Sequence, residues 1–210
     1  MLLDQTLRST IDQAASDAPT PGGGSVSALA AALGSCMGSM AANFTAGKKK
    51  FAAVDAEARQ ILATLAEHRE ALLRCAEEDA VAFEAVNAAY RLPKETEQQK
   101  AARSAAIRKS LLESMEVPLR AVRAAVACLE PLPRLAAIGN PNLISDTGVA
   151  AILLEAGARA AHLNVLINLK GLADAAVTCE RLAITGPLLE RAKNLLDATM
   201  QTVEAAVRPS

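Results

Sequence analysis

The sequence predicts an all-α protein: an elongated multi-helix bundle with long and kinked helices, dimerising through helices. Three observations carry that expectation. Apolar residues make up 51% of the chain, yet aromatics are only 2% and Trp is absent. Alanine therefore carries much of the apolar count, and alanine is the best helix former. From Val26 to Ala46 no residue is charged, and a helix of about 22 residues without a polar face must be covered on every side. Finally, no stretch alternates apolar and polar residues in the manner of a strand.

The elements follow in order within one domain, residues 1–210, long enough to bury a sizeable core. Leu3, Leu7, Ile11 and Ala14 or Ala15 recur at helical spacing and predict a first amphipathic helix over 2–16. Pro19-Thr20-Pro21-Gly22-Gly23-Gly24 is a loop. Ser25 or Gly24 caps the uncharged helix that follows, and Gly47 ends it by entering the left-handed conformation. That helix is long enough to span a membrane. Its Ala, Ser and Gly content gives weak transfer energy, so a buried central helix is the better reading. Gly34 and Gly38, with Ser35 and Ser39 beside them, form small-residue rows that let helix backbones approach closely.

After Lys50, Ile61, Leu65, Leu72, Ala76, Ala80, Phe83 and Val86 keep a helical period from Val54 to Tyr90. Such a helix reaches about 54 Å at 1.5 Å per residue. Thr96 caps the next helix, with Gln99 three residues on as in a capping box. It runs to Leu129, kinked by Pro118 and ended by Pro131 and Pro133. Gly139-Asn140-Pro141-Asn142 reads as a turn. Ser145 then caps a second apolar helix over 146–170, stopped by Gly171, and Asp174 opens a last helix to Val207 with Pro187 inside. Two nearly uncharged helices exceed what one small core needs, and a homodimer joined helix to helix is the economical answer.

Charge and cysteine usage exclude several classes. A formal net charge of −1 argues against nucleic-acid binding. The N-terminus lacks a basic region before an apolar run, so no signal peptide is expected. Cys36, Cys75, Cys128 and Cys179 are far apart and form no CxxC pair, which fits small apolar residues in a reducing cytoplasm. With only two distant histidines, no metal constellation and no cofactor are expected. Gly22-Gly23-Gly24-Ser25 lacks a P-loop lysine and follows no strand, but as a helix start it can bind an anion.

Two carboxylates stand out. Asp146 lies in the first turn of an apolar helix, where favourable charge against the helix dipole is explanation enough when it is taken alone. Gly139, Asn140, Asn142 and Gly148 surround it with amide donors, and Gly157, Asn164 and Asn168 fall near the same helix face. Asp79 lies on the stripe of Ala76, Phe83, Val86 and Tyr90, so it points toward the apolar side, while Glu77 and Glu78 lie on solvated faces. A carboxylate on such a stripe is either paired with a cation or functional. Lys48, Lys49 or Lys50 can supply the cation. The lysine run is otherwise a solvated turn complementing a helix C-terminus, or a site for an anionic tail. His68 reads as a surface residue. His162 lies on another face from Asp146.

Taken together, Pro19 to Ser25, Met40 to Phe51, Asp79-Ala80-Val81-Ala82-Phe83, Leu92-Pro93-Lys94, Val117-Pro118-Leu119, Gly139 to Ala150 and Asn164 to Asn168 resemble the cyclodeaminase/cyclohydrolase family of folate one-carbon metabolism. The resemblance covers nearly the whole chain in the right order. It implies an all-α homodimer acting on tetrahydrofolate derivatives. One branch of the family hydrolyses 5,10-methenyltetrahydrofolate to 10-formyltetrahydrofolate. The other closes 5-formiminotetrahydrofolate with loss of ammonia. The short chain leans toward the cyclohydrolase, with a separate formiminotransferase or folate dehydrogenase as a conceivable partner. His162 departs from the small or apolar residue expected there. The resemblance and the residue chemistry assign catalysis to Asp146, Asp79 and Lys48, with Asp146 as the base and Asp79 with Lys48 as a supporting pair. They assign substrate binding to Gly22, Gly23, Gly24, Ser25, Asn43, Thr45, Lys49, Asn140, Asn142 and Asn164. A non-catalytic folate-binding scaffold is the competing class; it has no need of a carboxylate in a glycine and asparagine nest.

Overall fold

A computed structural model describes residues 2–208. Seven α-helices appear in chain order: α1 (Leu7–Ala14), α2 (Gly23–Asn43), α3 (Asp55–Tyr90), α4 (Glu97–Leu129), α5 (Leu132–Ile138), α6 (Ile144–Leu172) and α7 (Ala175–Val207). Short 3-10 turns cover Leu2–Asp4, Lys49–Val54 and Pro141–Leu143, and the described residues contain no strand.

The uncharged helix α2 is the centre, packed chiefly against α3 and α6. Its small residues set how near those neighbours come. A Cβ on Gly34 would sit 3.0 Å from the Ala150 carbonyl, and one on Gly157 of α6 would sit 3.0 Å from the Ser27 carbonyl. Backbone approaches of that kind exclude any larger side chain. Buried hydroxyls on α2 are satisfied by carbonyls: Ser35 Oγ donates to Leu65 O at 2.9 Å and Ser27 Oγ to Gly24 O at 2.8 Å. Around this strip the core is filled by Leu65, Leu72, Leu129, Leu132 and Leu154, all fully buried. Cys75 and Cys128 are buried with them, and burial pushes the Cys128 thiol up to about 11.

α2 and α6 run antiparallel. Gly23 lies beside Asn164, Gly157 beside Ala31, and Gly34 beside Leu154. At the other end, the Asn140 N–H donates to Thr45 Oγ1 at 3.0 Å. α4 lies antiparallel to α6 on a further side: Met115 and Leu119 share a buried cluster with Val165 and Leu169.

Several boundaries differ from the sequence expectation. The helix expected over 2–16 is a 3-10 turn followed by α1, whose Thr6 hydroxyl accepts from the Ser9 N–H at 3.1 Å. Its Leu7 and Ile11 are exposed, so that stripe enters no core. Ser145 is no cap: α6 starts at Ile144, directly out of a 3-10 turn capped by the Asn140 side chain. Pro131 precedes α5 rather than ending helical structure, consistent with proline's preference for helix starts. α6 passes through Gly171 and stops where Ala173 turns left-handed at φ 51°. Gly47 does adopt the left-handed conformation, φ 72°, although α2 has already ended at Asn43. The α3 span, the Thr96–Gln99 capping box and the prolines inside α4 and α7 are as the sequence indicated.

Two stretches, Gly23–Asn43 and Pro141–Leu172, are long and apolar enough to cross a membrane by length and composition. α2, however, is largely covered by its neighbours. Val26 and Leu33 on α2, with Val149, Ile152, Leu163 and Ile167 on α6, are exposed apolar residues on two helices that pack together.

Candidate functional site

Asp79 is the residue on which the pocket is built. It projects from the middle of α3 onto the start of α2, where its Oδ2 accepts from the Ser25 N–H at 2.8 Å and from Ser25 Oγ at 3.1 Å. Gly22, the N-cap of α2, supplies no side-chain bond, so the carboxylate from α3 does the capping. Gly24 leaves the space for it: a Cβ there would collide with the carboxyl group. Negative charge against a helix N-terminus stabilises by about 0.3–1 kcal/mol at an exposed site. Both bonds fall on Oδ2, which leaves Oδ1 free of protein donors among the described residues.

Beside this junction lies a cavity of about 670 Å³, within the range of small-molecule sites. The loop contributes Pro19 and Thr20, and the start of α2 contributes Gly22, Gly23 and Gly24. α3 contributes Asp79, Phe83, Val86, Asn87 and Tyr90 along one stripe. α4 adds Leu111 and Ser114; α6 adds Asn164, Ile167, Asn168, Lys170 and Gly171. Phe83 and Tyr90 are partly exposed apolar rings, and Ile167 is one of the exposed apolar residues of α6. Asn164 Nδ2 donates to Ala160 O at 3.1 Å, and Asn168 Nδ2 donates to Asn164 O at 2.9 Å. Each asparagine thus ties one amide N–H to its own helix and keeps a second N–H and Oδ1 for other partners.

The residues singled out in the sequence fall into two groups. Gly22, Gly23, Gly24, Asp79 and Asn164 meet in the cavity, with Ser25 bonded to Asp79. Asn43, Thr45, Lys48, Lys49, Asn140, Asn142 and Asp146 gather at the opposite end of α2. There Thr45 is buried and bonded to Asn140, whose Nδ2 also donates to Phe44 O at 3.3 Å. The two ends of α2 are separated by about 30 Å of helix at 1.5 Å per residue. Asp146 and Asn164, though near one face of α6, stand eighteen positions apart, about 27 Å along the axis. The expected pair of Asp79 with Lys48 is therefore absent within one protomer, and the partner of Asp79 is Ser25. Asn140 and Asn142 build a turn instead of facing the cavity: Asn140 Oδ1 accepts from the Asn142 N–H at 3.1 Å. Glu78 is likewise no idle surface acid, since it pairs with Arg120.

Asn87, Tyr90, Ser114 and Lys170 escaped the sequence reading. For α3 the signal was present, because Asp79, Phe83, Val86 and Tyr90 share one stripe. Ser114 and Lys170 enter through tertiary packing that no local pattern records.

Known proteins resemble this chain over most of its length. Residues 6–183 match the family model described as formiminotransferase-cyclodeaminase. The chain is 41% identical over 204 residues to a methenyltetrahydrofolate cyclohydrolase of Methylorubrum extorquens, covering 97% of this chain and 98% of that protein. It is 37% identical to the formimidoyltransferase-cyclodeaminase of Sus scrofa over 97% of this chain but only 38% of the pig protein. The crystal structure of a formiminotetrahydrofolate cyclodeaminase from Thermotoga maritima superposes with a TM-score of 0.88 at 30% identity, covering 99% of this chain and all of the other.

Proposed function

Because the chain belongs to the formiminotransferase-cyclodeaminase family, we propose that it is a methenyltetrahydrofolate cyclohydrolase, with Asp79 as its catalytic carboxylate. The observation that carries the chemical part is Asp79 in the wall of the cavity of about 670 Å³, with both of its protein hydrogen bonds on Oδ2. End-to-end likeness to a cyclohydrolase at 41% identity supports the choice of reaction.

The bridge carbon of 5,10-methenyltetrahydrofolate is cationic and already electrophilic, so this reading needs no cofactor. Asp79 takes a proton from water as its oxygen bonds to that carbon. The protonated carboxyl then gives a proton to N5 as the carbon–N5 bond breaks. The adduct hydroxyl loses its proton and becomes the formyl carbonyl on N10, so one proton is released overall. General acid–base assistance of this kind is worth typically ~10²–10⁴ in rate. The Ser25 bonds hold the carboxyl group in place through both transfers. Phe83 and Tyr90 offer ring surface to the folate.

Cyclodeamination is the second reading, favoured by the name of the structural neighbour. It asks the same carboxylate to assist closure and departure of ammonia. An absorbance assay with both substrates separates the two. Disappearance of the methenyl chromophore marks the cyclohydrolase; its appearance from 5-formiminotetrahydrofolate marks the cyclodeaminase. Activity with neither would overturn both in favour of a binding scaffold.

The working unit in this reading is a homodimer. α2 and α6 pack on each other and both carry exposed apolar residues, and a stable complex buries roughly 800 Å² on each partner. A twofold axis crossing these helices reverses them, and so carries the Asp146 and Lys48 end of one protomer toward the cavity end of its partner. Asp146 then serves across the interface, and the lysines meet the acidic tail of the folate. Four free thiols suit a cytoplasmic location.

A further inference from the structure

We infer that the Ser114 carbonyl, Asn168 and Lys170 form a reading edge for the 2-amino-4-oxo side of the substrate's pterin, with Pro118 as the positioning residue that makes the carbonyl available. The inference rests on the folate reading above and goes beyond it by assigning the orientation of the ring.

Pro118 sits inside α4 and is buried. Proline has no amide hydrogen, so the helical bond that would satisfy the carbonyl four residues earlier is missing. That carbonyl belongs to Ser114, which lines the cavity. A backbone acceptor without its helical donor, at the wall of a cavity, calls for a donor from whatever fills it. Leu111, Ser114 and Pro118 follow one another at helical spacing; Leu111 and Ser114 line the cavity, and Pro118, one turn further on, is buried.

Antiparallel packing sets Ser114 level with Asn168. A Cβ on Gly171 would lie 3.4 Å from Leu111 Cδ1, while Met115 packs with Val165 and Leu169. Asn168 anchors one of its two amide N–H groups on Asn164 O and keeps Oδ1 as an acceptor. Lys170, two residues on, lines the same cavity and brings donors only. The order acceptor, acceptor, donor complements the 2-amino group, N3–H and O4 of a pterin. Asn168 and Asn164 are four residues apart on α6, about 6 Å along its axis. That is comparable to the width of a fused two-ring heterocycle, so this edge leaves the bridge carbon near Asp79 beside Asn164.

The test compares 5,10-methenyltetrahydrofolate with its 2-desamino-2-methyl analogue, by equilibrium binding and by kcat/KM, in wild type and Pro118→Ala. Wild type should prefer the natural substrate by about tenfold to a hundredfold, the consequence of leaving buried acceptors unpaired. Pro118→Ala restores the helical donor, so it should weaken the natural substrate about tenfold and leave the analogue nearly unchanged. A loss of fit alone would weaken both equally, and that result overturns the inference. Should Pro118→Ala fail to fold, Asn168→Leu must show the same selective loss while Asn168→Asp, which keeps the acceptor, retains the preference. Equal binding of both compounds by wild type overturns the reading edge alone. Binding of neither overturns the folate reading as well.

Discussion

At the scale of single residues, Asp79 combines two placements: it caps α2 through Oδ2 and lines the cavity. Asp79→Asn keeps a capping oxygen but removes the base. Turnover should fall by ~10²–10⁴, with the thermal midpoint nearly unchanged; Asp79→Ala should lose both. Retained turnover in Asp79→Asn would remove it from the chemistry. His162 offers a separate measurement. Its Nδ1 is buried without a partner among the described residues, and burial lowers its pKa from the usual value. The unfolded chain therefore binds the proton first, and folding stability should decline as pH falls below about 6.5. His162→Leu should flatten that slope in urea titrations between about pH 7 and 5. The sequence marked Asp79 because its stripe was apolar, and the fold places that residue in the cavity wall. It misassigned the partner of Asp79, because a side chain capping another helix leaves no trace in spacing.

Elements were the most legible level, and their ends the least. α3, α4 and α7 were readable because long periodic runs carry caps or breakers of known chemistry. α5 was missed since seven residues between prolines give no period, and α1 was overextended since its stripe meets no core. The close pairing of α2 with α6 makes a sharp prediction. Gly157→Val forces a branched side chain against Ala31 and the Ser27 carbonyl, and overpacking of this kind costs about 1–3 kcal/mol. A fall in denaturant midpoint of that size is expected, and an unchanged midpoint would mean that the helices part easily. By contrast, Thr96→Ala on the exposed capping box should cost about 0.5–2 kcal/mol and leave catalysis intact.

For the whole molecule, the sequence suggested one site where the protomer holds two separated groups. The reason is α2 itself: motifs flanking a continuous helix look close in the sequence as site components, yet lie at its two ends. A dimer that reverses α2 and α6 reunites them, and a mixing experiment decides. Asp79→Asn and Asp146→Asn proteins, each inactive alone, are unfolded, combined and refolded. If the site is shared, each mixed dimer holds one intact cavity facing one intact Asp146, and about one quarter of wild-type activity returns. If Asp146 acts only at its own end of the protomer, mixing restores nothing. Sedimentation at micromolar concentration should show the dimer, and Leu163→Glu with Ile152→Glu should dissolve it into monomers.

The chain has no Trp and a single Tyr, and that tyrosine is Tyr90 in the cavity wall. Excited at wavelengths that phenylalanine does not absorb, the protein emits its native ultraviolet light from one ring, in the wall of the proposed site. Excited-state lifetime, which is insensitive to the ligand's own absorption of light, should shorten when a pterin stacks nearby and transfers the energy away. Occupancy can then be followed in the unmodified protein, on the timescale of rapid mixing, without attaching a dye.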